Sequence, residues 1–376
     1  MKEIKMVDLF GQYSKIKDEI DNAMQEVVNT TAFINGPQVG LFANELATFL
    51  NVKHVIPCAN GTDALQIALM ALELPAGAEI IVPTFNYVAT AEVIALLGFK
   101  PVFVDSDVNN YNLLVGAIEK AITDKTKAIM PVHLFGQCAD MLNILKIAQK
   151  YNLYVIEDTA QAIGSTCDFY DGEVRYAGTI GHIGTTSFFP SKNLGCMGDG
   201  GAIFTNDDIF AAKIKTIANH GQRTKYMYDE VGVNSRLDTL QAALLRVKLA
   251  RLRQYNQARK EAANFYNNFF SAYPFIQTPR TELWSDHVYH QYTLQVDADK
   301  RDGLKKYLES KRIPSMIYYP MPLHLHQAYL YLGYKEGSFP NAENISKKVI
   351  SLPMHTELDN EQLLYICNSI IEYFNH

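Results

Sequence analysis

The stretch Val55-Ile-Pro-Cys-Ala-Asn-Gly-Thr-Asp-Ala-Leu-Gln-Ile-Ala-Leu-Met-Ala-Leu72, followed by Glu79-Ile-Ile-Val-Pro83, decides the architecture. A short β-branched run gives way at Asn60-Gly61 to a segment whose leucines recur at helical spacing, and a second apolar run follows. Runs apolar on both faces argue for a mostly parallel sheet covered by helices. The alternation continues outward through Pro101-Val-Phe-Val-Asp105, Ala128-Ile-Met-Pro-Val132, Leu153-Tyr-Val-Ile156, Thr186-Ser-Phe-Phe189 and Ala202-Ile-Phe-Thr205. These runs predict an α/β fold, a mostly parallel seven-stranded sheet wound on both faces.

From Leu237 to about Phe270 the chain is rich in Ala, Leu, Arg and Gln and free of proline and glycine, which predicts a long helical bridge to a smaller domain. Strand-like Gln291-Tyr-Thr-Leu-Gln-Val296, a helix around 301–311 and a last helix near 360–374 give that domain an α+β pattern. A chain of 376 residues exceeds what one core organises. The expected division is a large α/β domain over 1–250 and a small C-terminal α+β domain over 251–376.

Composition narrows the function. A net charge of −6 leaves no basic footprint for nucleic acid. The five cysteines, Cys58, Cys138, Cys167, Cys196 and Cys367, are odd in number and widely spaced, so neither a disulfide framework nor a zinc site is expected, and a cytoplasmic setting fits. No apolar stretch predicts a membrane span, and the start of the chain lacks the apolar core of a secretion signal.

In an open parallel sheet, ligands sit beyond the carboxyl ends of the strands. Lys192, in Thr185-Thr-Ser-Phe-Phe-Pro-Ser-Lys-Asn-Leu-Gly195, follows one such end, and Glu157-Asp158 closes another. An amine walled by Phe188, Phe189, Pro190 and Leu194 would lose its proton more readily and become nucleophilic, which suggests pyridoxal phosphate chemistry. An ionised Asp158 would keep a pyridine nitrogen protonated, although a helix cap or ion pair is the plainer explanation of a lone aspartate. Asn60-Gly-Thr-Asp63 opens a helix whose free N–H groups suit a phosphate, or is an ordinary N-cap. Tyr87 after the second strand could stack on a flat ring, and Ser187 could reach the same phosphate. The glycines Gly195, Gly198, Gly200 and Gly201 follow the lysine, the reverse of a phosphate-binding P-loop.

At these residues the chain closely resembles, almost end to end, the DegT/DnrJ/EryC1/StrS sugar aminotransferases. The markers are Asn60-Gly-Thr-Asp-Ala-Leu65, Pro83-Thr-Phe-Asn-Tyr-Val-Ala-Thr90, Glu157-Asp-Thr-Ala-Gln161, Ser187-Phe-Phe-Pro-Ser-Lys-Asn-Leu-Gly195, Gly198-Asp-Gly-Gly201 and Gly232-Val-Asn-Ser-Arg-Leu-Asp238. The resemblance implies a fold-type I enzyme dependent on pyridoxal 5'-phosphate. It implies Lys192 as the Schiff-base lysine and proton carrier, and Asp158 on the pyridine nitrogen. Gln161 lies by the ring's 3-oxygen face, Tyr87 stacks on the ring, and Gly61, Thr62 and Ser187 hold the phosphate. Asn234 reaches the phosphate of a second subunit, so active sites are shared in a homodimer.

Within the family, Cys58-Ala-Asn-Gly-Thr-Asp-Ala-Leu-Gln66, Gly136-Gln-Cys-Ala-Asp140, Cys196-Met-Gly-Asp-Gly-Gly-Ala-Ile-Phe-Thr-Asn206 and His220-Gly-Gln222 look most like the 3-aminotransferases of UDP-2-acetamido-2-deoxy-3-oxo-glucuronate. Such an enzyme takes its amino group from L-glutamate and serves cell-surface polysaccharide biosynthesis. Arg236 would then pair with a carboxylate of the sugar or of glutamate, or merely with Asp238. Tyr318 and Tyr319 would contact the substrate. The glucuronate enzymes are expected to carry histidine where this chain has Tyr318, which keeps dTDP-3-keto-6-deoxyhexoses open as substrates. A regulatory protein that binds the cofactor without transaminating is the rival of another class. His324 and His326 lack a third partner for a metal, and a loop contact to substrate or subunit is the expectation for them.

Overall fold

Seven strands build the central sheet of the computed structural model, which describes residues 3–169 and 172–375. They are β1 (His54–Cys58), β2 (Glu79–Pro83), β3 (Lys100–Val104), β4 (Thr126–Ile129), β5 (Tyr154–Asp158), β6 (Ile183–Ser187) and β7 (Gly201–Thr205), in spatial order β1-β7-β6-β5-β4-β2-β3. Strands β2 to β6 pair in parallel, whereas β7 runs antiparallel to both β6 and β1. Only β7 is reversed, so the carboxyl ends of the other six share one edge.

The pleat sorts side chains to two cores. Ile80, Val82 and Ile156 face one side, packing with Leu65, Ile67 and Leu69 of α4 (Gly61–Ala71) and with Ile214 and Ile217 of α8 (Asp208–Ala218). Ile81 and Val155 face the other, packing with Ile118 of α6 (Val115–Ala121) and Ile144 of α7 (Met141–Tyr151). Between α4 and α6 lies α5 (Ala89–Leu96), packed on the first side. Helices α1 (Leu9–Lys15), α2 (Lys17–Thr30) and α3 (Pro37–Leu50) precede the sheet.

Two elements differ from expectation. The strand expected to run through Phe189 begins earlier and ends at Ser187, because Pro190 has no N–H for a ladder and the Lys192 N–H turns back to the Phe189 carbonyl (2.8 Å). The single helical stretch of 237–270 is two helices, α9 (Thr239–Leu249) and α10 (Leu252–Phe270), broken at Ala250-Arg251. They serve different cores: α9 packs on α2 and α3, while α10 packs on α13 (Asn360–Asn375).

A separate apolar core gathers Tyr266 and Phe270 of α10, Leu304 and Leu308 of α11 (Ala298–Ser310), and Ile366 and Ile370 of α13. Its sheet is the antiparallel pair β8 (Tyr292–Gln295) and β9 (Val349–Leu352), preceded by α12 (Pro340–Lys348). Among the described residues no helix is long and apolar enough to cross a membrane. All five cysteines are free and buried.

Candidate active site

A cavity of about 660 Å³ opens at the shared edge of carboxyl ends, and residues from the ends of β1, β2, β5 and β6 line it. At β1 the chain passes directly into α4. Asn60 caps that helix by accepting from the Asp63 N–H (2.8 Å), and Asp63 is held in turn by the Ser235 hydroxyl (2.6 Å). Gly61 and Thr62, whose N–H groups are among those left unpaired at any helix start, line the cavity. A Cβ on Gly61 would lie 2.7 Å from Ser187 Cβ, so β6 approaches this closely only because residue 61 is glycine. Ser187 Oγ accepts from the Phe189 N–H (3.2 Å), which leaves its own proton to donate into the cavity.

The pair Glu157-Asp158 at the end of β5 divides its labour, since successive side chains point to opposite faces. Glu157 is fully buried, and its carboxylate accepts from the N–H groups of Gly178 (2.9 Å), Ile180 (2.7 Å) and Gly181 (2.6 Å) and from His133 Nε2 (2.8 Å). Because His133 Nδ1 accepts from the Ala139 N–H (3.0 Å), the ring proton sits on Nε2 and is donated to Glu157. Glu157 is therefore structural. Glu157→Ala should cost roughly 3–5 kcal/mol in urea denaturation, because three amide donors and a histidine lose a buried acceptor. A loss below about 1 kcal/mol would contradict this role.

Asp158 faces the cavity. One oxygen accepts from the Ala160 N–H (3.0 Å), and the other makes no hydrogen bond among the described residues. Burial raises its pKa, opposed by the Ala160 N–H and by the positive field of Lys192. A cationic ring N–H at the open oxygen would offset that cost.

Lys192 projects from a loop closed on itself. The Phe188 N–H donates to the Gly200 carbonyl (2.7 Å), the Cys196 N–H to the Phe188 carbonyl (2.8 Å), and buried Lys248 Nζ to the Gly195 carbonyl (2.7 Å). A Cβ on Gly195 would meet the Pro190 carbonyl oxygen at 2.3 Å. Of the expected wall of four apolar residues, Phe189 alone lines the cavity with Lys192. Phe188 and Leu194 point away into a core with Phe42 and Leu46, because alternation along the strand end turns Phe188 opposite to Ser187, and Phe189 is half exposed.

Burial still lowers the Lys192 pKa from its usual 10.5 to about 8, although Asp158 pulls it upward. Below about 8 the folded and unfolded chains both hold this proton. Between 8 and 10.5 the unfolded chain holds more, so the cofactor-free fold gains stability as pH rises through that window. Labelling of the cofactor-free protein by an amine reagent, read by mass spectrometry, should show Lys192 reacting with a midpoint near pH 8, well below surface lysines. A midpoint near 10.5 would refute the depressed amine.

Gln161 is held in one orientation: Oε1 accepts from the Phe135 N–H (2.7 Å), and Nε2 donates to the Tyr319 hydroxyl (3.1 Å). Tyr318 and Tyr319 both line the cavity, with Tyr319 stacked near Phe135 at 6.4 Å. Tyr87 stands at the mouth, 59% exposed and 6.5 Å from the Tyr319 ring. Asn234 is exposed and Arg236 half-buried, and neither lines this chain's own cavity. Arg236 makes no ion pair with Asp238 or any other described residue.

His324 is not a substrate or subunit contact. It is fully buried, with Nδ1 on Thr84 Oγ1 (2.9 Å) and Nε2 on Glu343 (3.0 Å), because it packs the loop after Pro322 onto the end of β2. Half-buried His326 bonds the Met321 carbonyl (3.2 Å). No group of three metal-ligating side chains occurs among the described residues.

The cavity also takes in Asn86, Asp199, His290 and Gln291. Sequence gave little signal for the last two, which lie far along the chain beside a run legible only as strand. An anion-seeking helix start, a carboxylate with an open oxygen and a depressed amine match in kind the phosphate, ring nitrogen and carbonyl carbon of pyridoxal phosphate.

Known proteins resemble this chain along nearly its whole length. The UDP-2-acetamido-2-deoxy-3-oxo-D-glucuronate aminotransferase of Pseudomonas aeruginosa is 45% identical over 367 residues, 98% of this chain and 99% of that one. A protein named pleiotropic regulatory protein from Geobacillus stearothermophilus is 44% identical over 375 residues, 99% of each chain. The crystal structure of NtdA from Bacillus subtilis, with bound cofactor PMP, superposes with a TM-score of 0.88 at 31% identity, over 96% of this chain and 82% of that one. The sequence model of one family matches residues 14–371, and the chain belongs to it: the DegT/DnrJ/EryC1/StrS aminotransferase family of pyridoxal phosphate-dependent enzymes.

Proposed function

We propose that this sugar aminotransferase moves the amino group of L-glutamate to C3 of UDP-2-acetamido-2-deoxy-3-oxo-glucuronate. The observation that carries the chemistry is the depressed amine of Lys192 in one cavity with the half-satisfied carboxylate of Asp158. The sugar is supported by the 45% identity to the Pseudomonas enzyme. Bound pyridoxal phosphate supplies an electron sink for the pair left when glutamate gives up its α-hydrogen.

The chain's residues do the rest. The Gly61 and Thr62 N–H groups and the Ser187 hydroxyl bind the phosphate. Asp158 keeps the ring nitrogen protonated, Gln161 lies by the ring's 3-oxygen, and Tyr87 covers the ring face. Lys192 Nζ takes the α-hydrogen as a proton and returns one to C3 of the sugar, which makes the kinetics ping-pong. Tyr318 and Tyr319 border the sugar. The Asn234 and Arg236 side chains, absent from the lining of their own cavity, act in the cavity of a second copy, Asn234 on phosphate and Arg236 on a carboxylate, in a cytoplasmic homodimer. The chain divides near Ala250 into a large domain, 1–250, and a small one, 251–376.

One observation favours a second substrate. A tyrosine at position 318 donates a hydrogen bond but carries no positive charge for a C6 carboxylate, which suits a dTDP-3-keto-6-deoxyhexose. The test is to load the pyridoxamine form and follow loss of its absorbance with a panel of UDP- and dTDP-linked keto sugars. Consumption by the UDP-linked 3-oxo uronate ahead of the others is expected. Preference for the dTDP-linked 6-deoxy sugar overturns the substrate assignment, and no consumption by any sugar overturns the function.

A further inference from the structure

His290 and Gln291 line the cavity from the segment 288–291, whose backbone is pinned by hydrogen bonds. The Val288 N–H donates to the Gly136 carbonyl (2.8 Å) and the Gln291 N–H to the Phe135 carbonyl (3.3 Å), while the Val288 carbonyl accepts from Asn193 Nδ2 (3.0 Å). Behind it, Arg259 Nη1 donates to the carbonyls of Tyr289 (3.2 Å), His290 (3.1 Å) and Met354 (3.0 Å). The side chains this rigid wall presents are, by contrast, unpartnered. His290 is 8% exposed and lines the cavity, with Nδ1 buried and unbonded and Nε2 free of any bond among the described residues. Gln291 lines it too, with Oε1 buried and unbonded.

The sign of the ligand follows from charge. Arg259 is 3% exposed and pairs with no carboxylate among the described residues, so its charge stands uncompensated just behind the His290 carbonyl. Burial lowers its pKa only to about 10, and it stays cationic near neutrality. Burial, with the cations Lys192 and Arg259 on either side, keeps His290 neutral. A stranded buried N–H is the rarer and costlier orphan, which places the ring proton on Nε2, where it is a donor into the cavity. Two acids line the same cavity, but Asp158 belongs to the ring nitrogen and Asp199 is exposed. Lys192 is the sole cation lining it and is committed to chemistry, so no guanidinium of this chain is available there for a carboxylate.

We propose that His290 Nε2–H and the Gln291 carboxamide form the subsite for a carboxylate of the amino donor, neutral hydrogen-bond donors set against the unneutralised cation Arg259. Neutral donors suit a site that must hold two different substrates in turn. This rests on the aminotransferase function, and its test does not need turnover.

Glutarate, an unreactive dicarboxylate, is titrated calorimetrically into the pyridoxal phosphate-loaded protein and its variants, with UDP as a second probe. His290→Ala should weaken glutarate about tenfold, the effect of one hydrogen bond to a charged group, and His290→Asn, which keeps an N–H donor, should recover most of it. UDP affinity should hold within about twofold in both, a result that general disruption of the wall would not give. Gln291→Leu should weaken glutarate in the same direction. Equal glutarate affinity in wild type and His290→Ala, no glutarate binding by wild type, or parallel loss of UDP would each overturn the subsite. If wild type binds glutarate through His290 yet glutamate never converts the cofactor to its amine form, the function is wrong and the subsite stands.

Discussion

Lys192→Ala should lower turnover by roughly 10⁴-fold or more and remove the near-visible absorbance that the cofactor gains when bonded to a lysine. Two jobs rest on one Nζ atom. In the proposed function it would make the covalent bond that holds the cofactor between cycles, and it would carry the proton between donor carbon, cofactor and sugar. Lys248, also buried and with a pKa lowered to about 8, is no substitute, since its Nζ is spent on the Gly195 carbonyl. The protein should remain folded. Lys192 Nζ makes no hydrogen bond among the described residues, and alanine removes an amine that burial penalises. The thermal midpoint of the cofactor-free variant should therefore match or exceed that of wild type. Turnover within tenfold of wild type, or a colourless wild type after loading, would defeat the assignment of Lys192.

Asp158→Asn should cost at least about a hundredfold in turnover while leaving the cofactor bound. Asparagine keeps the shape, and its side-chain oxygen can still accept from Ala160, but it brings no charge to the ring nitrogen. The phosphate contacts proposed for Gly61, Thr62 and Ser187 would be untouched, so retention through dialysis should persist. The loss should fall on proton removal, and replacing the donor's α-hydrogen with deuterium should slow the variant more than it slows wild type. Asp158 is buried, and its pKa is raised by that burial, a cost that a cation beside it would offset. Asparagine relieves the same burial cost, and the cofactor-free variant should be no less stable to urea. Near-normal turnover would remove Asp158 from the ring nitrogen.

The parts of the site legible in the sequence are those where local chemistry and strand ends coincide. Glycine beside threonine at a helix start, a lysine followed by glycines and an aspartate after a β-branched run each announce themselves within a few residues. The pair Glu157-Asp158 was legible as a pair but not in its division, because alternation at the strand end sends Glu157 to four buried donors and Asp158 to the cavity. The supposed apolar wall of Lys192 failed for the same reason, with Phe188 and Leu194 serving a core on the other side. His324 looked like a loop ligand and is a buried strut, its two nitrogens taken by residues 240 positions before it and 19 after it.

By itself the sequence determined the α/β architecture and the cofactor, since periodicity, cap residues and the order of lysine and glycine are local properties of the chain. Only the tertiary structure decided which way each side chain at a strand end faces, that 237–270 breaks at Ala250-Arg251 to serve two cores, and that His290, Gln291 and Arg259 meet behind one wall of the cavity. Those outcomes depend on burial and on hydrogen bonds between residues far apart in the chain. No local pattern of residues encodes such contacts.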